Sequence, residues 1–304
     1  SDLEFGLAHD VDYVAISFVE TSQDIEVVRE AIKELNPQRA KTPIIAKLER
    51  PEAVKNLHDI VHVTDGVMVA RGDLGVETSP ALVPIIQKEI IQMANRHAKV
   101  VITATQMLDS MIHNPRPTRA EASDVANAIF DGTDAVMLSG ETASGDYPIE
   151  SVKMMDSIVR EAEKHNQDWG HVENFPKEAL REDALSMSAA AKELAHDRNV
   201  SEVAVFTQSG RTALLMSKMR PRVPVIALSP EERTLCLVNL YWGVKPMLIP
   251  HANSLEEMVR RVDAALMERS HIKPGQQIVL ISGFPVGSYH LPNLALLHTV
   301  GEEV

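Results

Sequence analysis

The chain has 304 residues, with 30 Lys or Arg against 43 Asp or Glu, so its formal net charge is −13. This acidic balance argues against a nucleic-acid partner, and no stretch approaches the roughly 18 consecutive apolar residues of a membrane span. The length predicts two domains, since one domain usually has about 100–200 residues. The single cysteine, Cys236, excludes an internal disulfide and fits a reducing compartment, so we expect a cytoplasmic protein.

Five short apolar runs alternate with helical patterns in the first half of the chain. Apolar residues recur at helical spacing after Ser22, at Ile25, Val28 and Ile32, and residues 118–121 have the sequence of a capping box. Buried strands separated by single helices pair in parallel, which predicts an α/β sheet with helices outside it. The predicted strands are residues 11–18, 43–48, 66–70, 99–103 and 134–139.

Polar residues without helical spacing follow the helix that is predicted to end near Lys164. We therefore expect a first domain at 1–166, a linker at 167–177 and a second domain at 178–304. The second domain is predicted to be α/β, with a mostly parallel five-stranded sheet. Its predicted strands are 202–206, 223–228, 245–249, 277–282 and 294–300, and its helices include 184–195, 231–241 and 255–268.

Charged residues end two neighbouring strands of the first domain. Lys47 and Glu49 lie two residues apart, on one face of the strand, where they either point into a common cavity or form a solvated ion pair. Asp73 follows the next strand and either caps a turn or shares a divalent cation with Glu49. Two carboxylates are a sparse site of the kind that Mg²⁺ uses when substrate and water supply its other ligands.

Other polar groups are expected at the same strand ends. Gly72 and Gly75 let the backbone approach a ligand closely, and Thr105 and Ser139 follow the fourth and fifth strands. This composition suits a metal-bound anionic substrate better than acyl transfer, and the chain contains neither a P-loop nor a dinucleotide-binding glycine motif. We call the following set the strand-end rim: Lys47, Glu49, Gly72, Asp73, Thr105 and Ser139.

A second candidate site lies in the second domain, where a strand runs into a helix through hydroxyls, a glycine and an arginine. This arrangement is typical of a phosphate site at a helix start, although a capped helix with a surface arginine would give the same pattern. The residues are Thr207, Gln208, Ser209, Gly210, Arg211 and Thr212, which we call the 207–212 loop.

Five motifs resemble the pyruvate kinase family in the same order along the chain, and the resemblance continues through 209–212 to the C-terminus. The resemblance implies a partial TIM barrel with about five of eight βα units, followed by an α/β regulatory domain. It also implies the glycolytic transfer of a phosphoryl group from phosphoenolpyruvate to ADP, with Mg²⁺ or Mn²⁺ and with K⁺. The motifs are residues 46–49, 68–75, 103–108, 114–121 and 137–143.

The resemblance also implies roles for individual residues. Lys47 resembles the lysine that neutralises the phosphoryl group, and Glu49 and Asp73 resemble the metal ligands. Gly72 and Asp73 resemble the backbone donors for the substrate carboxylate. Thr105 resembles the hydroxyl that assists protonation of the enolate, and Ser139 lies near it. Phosphoryl transfer of this kind needs positioning and charge neutralisation rather than a protein nucleophile.

The resemblance also implies features of the whole enzyme. Three barrel strands, a lid, the residues that hold the phosphoryl group and K⁺, and part of the ADP site have no matching positions, so we expect the isolated chain to be inactive. The 207–212 loop resembles an effector site, and residues 283–290 resemble its opposite wall. That segment contains no Lys or Arg, which favours AMP or a sugar monophosphate as effector. The family resemblance also implies a homotetramer.

Two other functions fit the residues. A metal-dependent pyruvate aldolase or lyase would share Glu49 and Asp73 but would not need the second domain. A non-catalytic effector-binding or assembly module would need only the second site.

Overall fold

The structure is a computed structural model that describes residues 2–170, 175 and 182–302. The chain divides into two compact units, Ser1–Asn174 and Phe175–Val304. The division falls within the segment 167–177 that the sequence suggests as a linker, most of which lies outside the described residues.

The first unit contains a five-stranded sheet in which all neighbouring strands are parallel, in the order β1-β2-β3-β4-β5. This confirms the predicted α/β sheet. Its strands are β1 (Val14–Ile16), β2 (Ile44–Leu48), β3 (Gly66–Ala70), β4 (Val100–Ala104) and β5 (Ala135–Val136). Its helices are α1 (Asp2–Ala8), α2 (Ser22–Leu35), α3 (Pro51–Lys55), α4 (Leu57–Val63), α5 (Arg71–Glu77), α6 (Val83–Arg96), α7 (Arg119–Asp131), α8 (Gly140–Ala143), α9 (Pro148–Lys164) and α10 (Asn166–Trp169).

Helices cover one face of this sheet. Ala46 and Leu48 of β2 are fully buried in one apolar cluster with Ile25 of α2 and Ile90 of α6. Because successive residues of a strand point to opposite faces, Lys47 emerges on the face turned away from this cluster. The start of α7 agrees with the capping box that the sequence predicts. Thr118 Oγ1 accepts the N–H of Glu121 at 3.2 Å.

Two local predictions for the first unit were wrong. Strands β1 and β5, at the two edges of the sheet, have three and two residues rather than eight and six. The glycine-containing turn after β3 is the helix α5, whose Leu74 is fully buried and holds the segment against the core. The helix α10 spans the boundary between the predicted first domain and the predicted linker, which stays a prediction.

The second unit contains a mixed five-stranded sheet in the order β10-β9-β6-β7-β8, with only β10 antiparallel to its neighbour. This confirms the mostly parallel sheet. Its strands are β6 (Val203–Phe206), β7 (Val225–Ser229), β8 (Val244–Leu248), β9 (Gln277–Ser282) and β10 (Leu294–Thr299), and its helices are α11 (Asp183–Asp197), α12 (Arg211–Lys218), α13 (Glu232–Val238) and α14 (Leu255–Arg269).

Both faces of the second sheet are covered. Ala204 and Phe206 pack in a cluster with residues of α14, whereas Val203 and Val205 pack in another cluster with residues of α11 and α12. Burial on two faces explains why β6 is a continuous apolar run. None of the helices in the described ranges combines the length and hydrophobicity that a bilayer crossing requires.

Candidate active-site rim and effector pocket

The carboxyl ends of all five strands lie along one edge of the first sheet, because every adjacent pair is parallel. Lys47 pairs in register with Met68 of β3, and Glu49 is the next residue after β2. Asp73 lies in the first turn of α5, which directly follows β3. The structure therefore places Lys47, Glu49 and Asp73 at the ends of two neighbouring strands.

Lys47 and Glu49 form an ion pair that is shielded from solvent on its acidic side. The Lys47 Nζ lies 2.5 Å from Glu49 Oε1 and donates to Ser17 Oγ at 3.0 Å. The side chain of Glu49 is only 2% exposed, and its Oε2 accepts the backbone N–H of Phe18 at 2.7 Å. The pair is thus part of the folded strand end rather than a solvated surface contact.

The donors near Glu49 suit a hard divalent cation. Asp73 is exposed, and Glu49 and Asp73 are both oxygen donors. Within the described ranges, no group of three or more His, Cys, Asp or Glu side chains is arranged to hold a metal ion. A two-carboxylate set fits Mg²⁺ or Mn²⁺ with substrate and water as further ligands, and does not fit a thiolate or imidazole zinc site.

Thr105 lies in an unusual turn directly after β4. Thr105 and Gln106 have φ angles of 67° and 53°, a left-handed region that is strained for residues other than glycine. Thr105 Oγ1 accepts the Gly72 N–H at 2.8 Å and donates to the Ala104 carbonyl at 2.6 Å. A ligand carboxylate that takes the Gly72 N–H must therefore displace the Thr105 hydroxyl.

Ser139 precedes the short helix α8 and is held by a buried carboxylate. Glu141, 2% exposed, accepts the Ser139 N–H at 2.7 Å through Oε2 and the Leu108 N–H at 3.1 Å through Oε1. It therefore joins the loop after β5 to the loop after β4. The sequence analysis did not single out Glu141, nor Arg71, which is buried beside Gly72. For both residues the available signal was a charged side chain close to the end of a strand.

In the second unit, the 207–212 loop and residues 283–290 line one surface pocket. Among the described residues that line this pocket, Arg211 is the one Lys or Arg. We call it the effector pocket, for the role that the sequence resemblance implies.

The 207–212 loop turns sharply into α12. Gly210 has φ 81°, and its N–H donates to Thr207 Oγ1 at 3.0 Å. The Gln208 carbonyl accepts a hydrogen bond from the Thr234 hydroxyl at 2.6 Å. These bonds fix the loop while the start of α12 faces the pocket.

The opposite wall is also shaped by its own contacts. A Cβ atom on Gly283 would lie 2.3 Å from the His290 carbonyl oxygen, so the close backbone approach requires glycine. The Asn293 side chain bonds both the N–H and the carbonyl of Phe284, at 2.7 and 2.9 Å. Tyr289 reaches Ser209 across the pocket, with 3.5 Å between the hydroxyl oxygens.

The first unit is a parallel α/β domain with an ammonium and two carboxylates at the ends of two neighbouring strands. Comparisons with known proteins show to which family of α/β proteins the chain belongs. Residues 1–152 match the family model described as "Pyruvate kinase, barrel domain", and residues 185–298 match "Pyruvate kinase, alpha/beta domain". The chain therefore belongs to the pyruvate kinase family, as its motifs indicate.

Similar curated relatives are named pyruvate kinase in Staphylococcus aureus strains MRSA252 and USA300. Each is 42% identical over 305 residues, which cover 100% of this chain and 51% of the relative. The chain thus spans about half the length of the curated relatives it matches.

Proposed function

We propose that the protein carrying this chain transfers a phosphoryl group from phosphoenolpyruvate to ADP, giving pyruvate and ATP in glycolysis. The observation that carries the proposal is the ion pair between Lys47 and the buried Glu49, at the end of the strand that neighbours the one before Asp73, within motifs of the pyruvate kinase family. An ammonium and carboxylates at the strand-end rim suit neutralisation and positioning of a phosphoryl group.

In this proposal, Lys47 faces the phosphoryl group during transfer. At that moment the negative charge of the phosphoryl group spreads over its three oxygens. Glu49 and Asp73 would hold Mg²⁺ or Mn²⁺, which would neutralise charge on the substrate oxygens. The pairing of Lys47 with Glu49 holds the ammonium in place in the absence of substrate. Gly72 and Asp73 supply backbone N–H groups for the substrate carboxylate.

Thr105 is proposed to assist the proton transfer that converts the enolate to pyruvate. Its hydroxyl proton points to the Ala104 carbonyl, so it has to turn away from that carbonyl to act. Binding of the substrate carboxylate to the Gly72 N–H would release one of the two bonds that now hold this hydroxyl. Ser139, positioned by Glu141, lies at the neighbouring strand end.

The reaction is tested by incubating the protein, as expressed from its own gene, with phosphoenolpyruvate, ADP, Mg²⁺ and K⁺. We expect ATP formation that depends on phosphoenolpyruvate. Metal-dependent condensation of pyruvate with aldehydes in place of ATP formation would instead support the aldolase alternative. The 304-residue chain, assayed beside the full gene product, tests whether it is inactive alone.

A second function is supported by the effector pocket. We propose that Arg211 and the start of α12 bind one phosphate of AMP or of a sugar monophosphate, because no second Lys or Arg lines the described pocket. Binding without any phosphotransfer would support the alternative of an effector-binding or assembly module.

The family resemblance alone supports three further proposals, namely a K⁺ requirement, a cytoplasmic location and a homotetramer. Sedimentation velocity of the full gene product tests the tetramer.

A further inference from the structure

Arg71 is a buried cation that the proposed chemistry does not use. It is the first residue of α5, between β3 and Gly72, and only 8% of its surface is exposed. Arginine stays charged when buried and needs several acceptors, so its surroundings show what it holds.

The guanidinium of Arg71 donates to three consecutive backbone carbonyls at the end of β4. Its Nη2 lies 2.8 Å from the Thr105 oxygen and 3.3 Å from the Gln106 oxygen, and its Nε lies 3.4 Å from the Ala104 oxygen. These carbonyls belong to the turn in which Thr105 and Gln106 have positive φ. A planar, charged donor in the centre of the turn offsets the strain of two successive left-handed residues.

Two outer helices set the orientation of the guanidinium. Nη1 of Arg71 lies 2.6 Å from Asp124 Oδ2 of α7 and 3.4 Å from Gln87 Oε1 of α6. Gln87 in turn donates to Asp131 at 3.0 Å. Arg71 is therefore a rigid link from the two helices to the turn that carries Thr105.

We propose that Arg71 is a positioning residue that holds the left-handed Thr105–Gln106 turn and so places the Thr105 hydroxyl against the Gly72 N–H, and that Asp124 fixes Arg71 for this task. The structural part stands on the contacts above. Its catalytic consequence, a correctly placed Thr105 during proton transfer, rests on the proposed function.

The first test measures the turn directly, by amide hydrogen exchange of the full gene product. The Gly72 N–H is protected by Thr105 Oγ1, so Arg71→Met is expected to speed its exchange by about tenfold or more. The matched control is Arg39→Met, because Arg39 is also 8% exposed and bonds Asp10 and the Val11 carbonyl without touching the turn. The control is expected to leave Gly72 exchange unchanged.

The second test is kinetic and uses the phosphoenolpyruvate and ADP assay. Arg71→Met is expected to lower kcat by about 10- to 100-fold and to change the KM for phosphoenolpyruvate less than about threefold, because a displaced catalytic group costs rate more than binding. Since both changes act on one hydroxyl, Arg71→Met combined with Thr105→Val should be no slower than Thr105→Val alone. Arg71→Lys, which keeps the charge but reaches fewer carbonyls, should recover part of the loss.

Unchanged Gly72 exchange in Arg71→Met, or full additivity of the double variant, would overturn the proposal. If Arg71→Met does not fold, Asp124→Asn replaces it and should show the same faster Gly72 exchange; unchanged exchange there also overturns the proposal. Absence of phosphotransfer in the wild-type protein would remove the proposed function, while the exchange result would still decide the role of Arg71.

Discussion

The buried carboxylates at the strand-end rim and the arginine of the effector pocket are held in opposite ways. Glu49 of the rim, and Glu141 that holds the rim residue Ser139, are buried, and each carboxylate oxygen already accepts a bond from a neighbouring loop or side chain. In the effector pocket, Arg211 is half-buried, and within the described ranges no side chain pairs with its guanidinium. We infer that the rim is held in place by the fold itself, whereas the pocket leaves its main charge available for a ligand. Substitutions at the rim should therefore change turnover or stability, whereas substitution of Arg211 in the pocket should change the affinity for a ligand.

The largest expected effect is at Lys47. Lys47→Met in the full gene product should lower kcat by about 10²- to 10³-fold with a much smaller change in the KM for phosphoenolpyruvate, because the ammonium acts most strongly on charge that moves in the transition state. Steady-state kinetics measures both constants. Lys33→Met, which removes an exposed pair with Glu30, is the control and should leave both unchanged. A change confined to KM would contradict this role.

Arg211 tests the pocket side of the comparison. Arg211→Ala should weaken binding of AMP or a hexose monophosphate by about 10- to 100-fold, the value of a lost charge-assisted contact, and should change the free energy of unfolding by less than about 0.5 kcal/mol. Calorimetric titration measures the affinities. Arg269→Ala, on the exposed end of α14, should bind as the wild type does. A preference for a hexose bisphosphate, or unchanged binding in Arg211→Ala, would argue against the assignment.

A substitution of Glu141 tests whether a buried carboxylate at the rim stabilises the fold. Glu141→Gln keeps the size of the side chain but leaves it one acceptor oxygen for the N–H groups of Leu108 and Ser139, so we expect a loss of about 1–2 kcal/mol in the free energy of unfolding. Urea denaturation measures the loss. Glu161→Gln, which breaks an exposed pair with Lys164, should leave the free energy of unfolding essentially unchanged. Equal stability of Glu141→Gln and Glu161→Gln would show that the buried carboxylate of Glu141 stabilises the fold no more than an exposed one does.

The smallest effect concerns pH. Burial raises the pKa of Glu121, but hydrogen bonds from Ser110 and Thr118 outweigh burial, so its pKa lies below the ordinary value of 4.5. A lowered pKa in the folded state means that the stabilisation is present above the unfolded pKa and is lost as the pH falls through the folded pKa. Glu121→Gln should therefore cost about 1 kcal/mol at pH 7. The difference from wild type should shrink below about pH 4 in denaturation experiments; a constant difference down to pH 3 would show that the charge is irrelevant.

The central strands could be predicted from sequence to within two residues at either end. Strands β3 and β9 have the predicted bounds because each contains an apolar run buried between two other strands. The edge strands β1 and β5 of the first sheet were predicted too long, whereas the edge strands β8 and β10 of the second sheet differ from their predicted bounds by at most one residue at either end. The helix α5 was missed because two glycines favour a turn locally, and only burial of Leu74 in the folded unit reverses that preference.

The candidate site could be predicted only where it follows from strand spacing. That Lys47 and Glu49 share a face follows from the two-residue period of a strand, and the parallel order places Asp73 after the end of the neighbouring strand. The turn at Thr105 could not be predicted, because its contacts come from distant parts of the chain. Arg71 bonds the carbonyls of the turn, and Asp124, which lies 53 residues after Arg71, bonds the guanidinium. Contacts between distant loops carry no local sequence signal.

The Mg²⁺ dependence of phosphoenolpyruvate-dependent ATP formation, in the wild type and in Asp73→Asn, tests the central claim most directly. Asp73 is exposed, so its substitution should leave the fold intact and change only the metal site. We predict saturable Mg²⁺ activation of the wild type, and at least about a tenfold higher Mg²⁺ requirement with lower turnover in Asp73→Asn. No phosphoenolpyruvate-dependent ATP formation by the wild type, or the same Mg²⁺ dependence in both proteins, would contradict the proposal that the strand-end rim is a metal-assisted phosphoryl-transfer site.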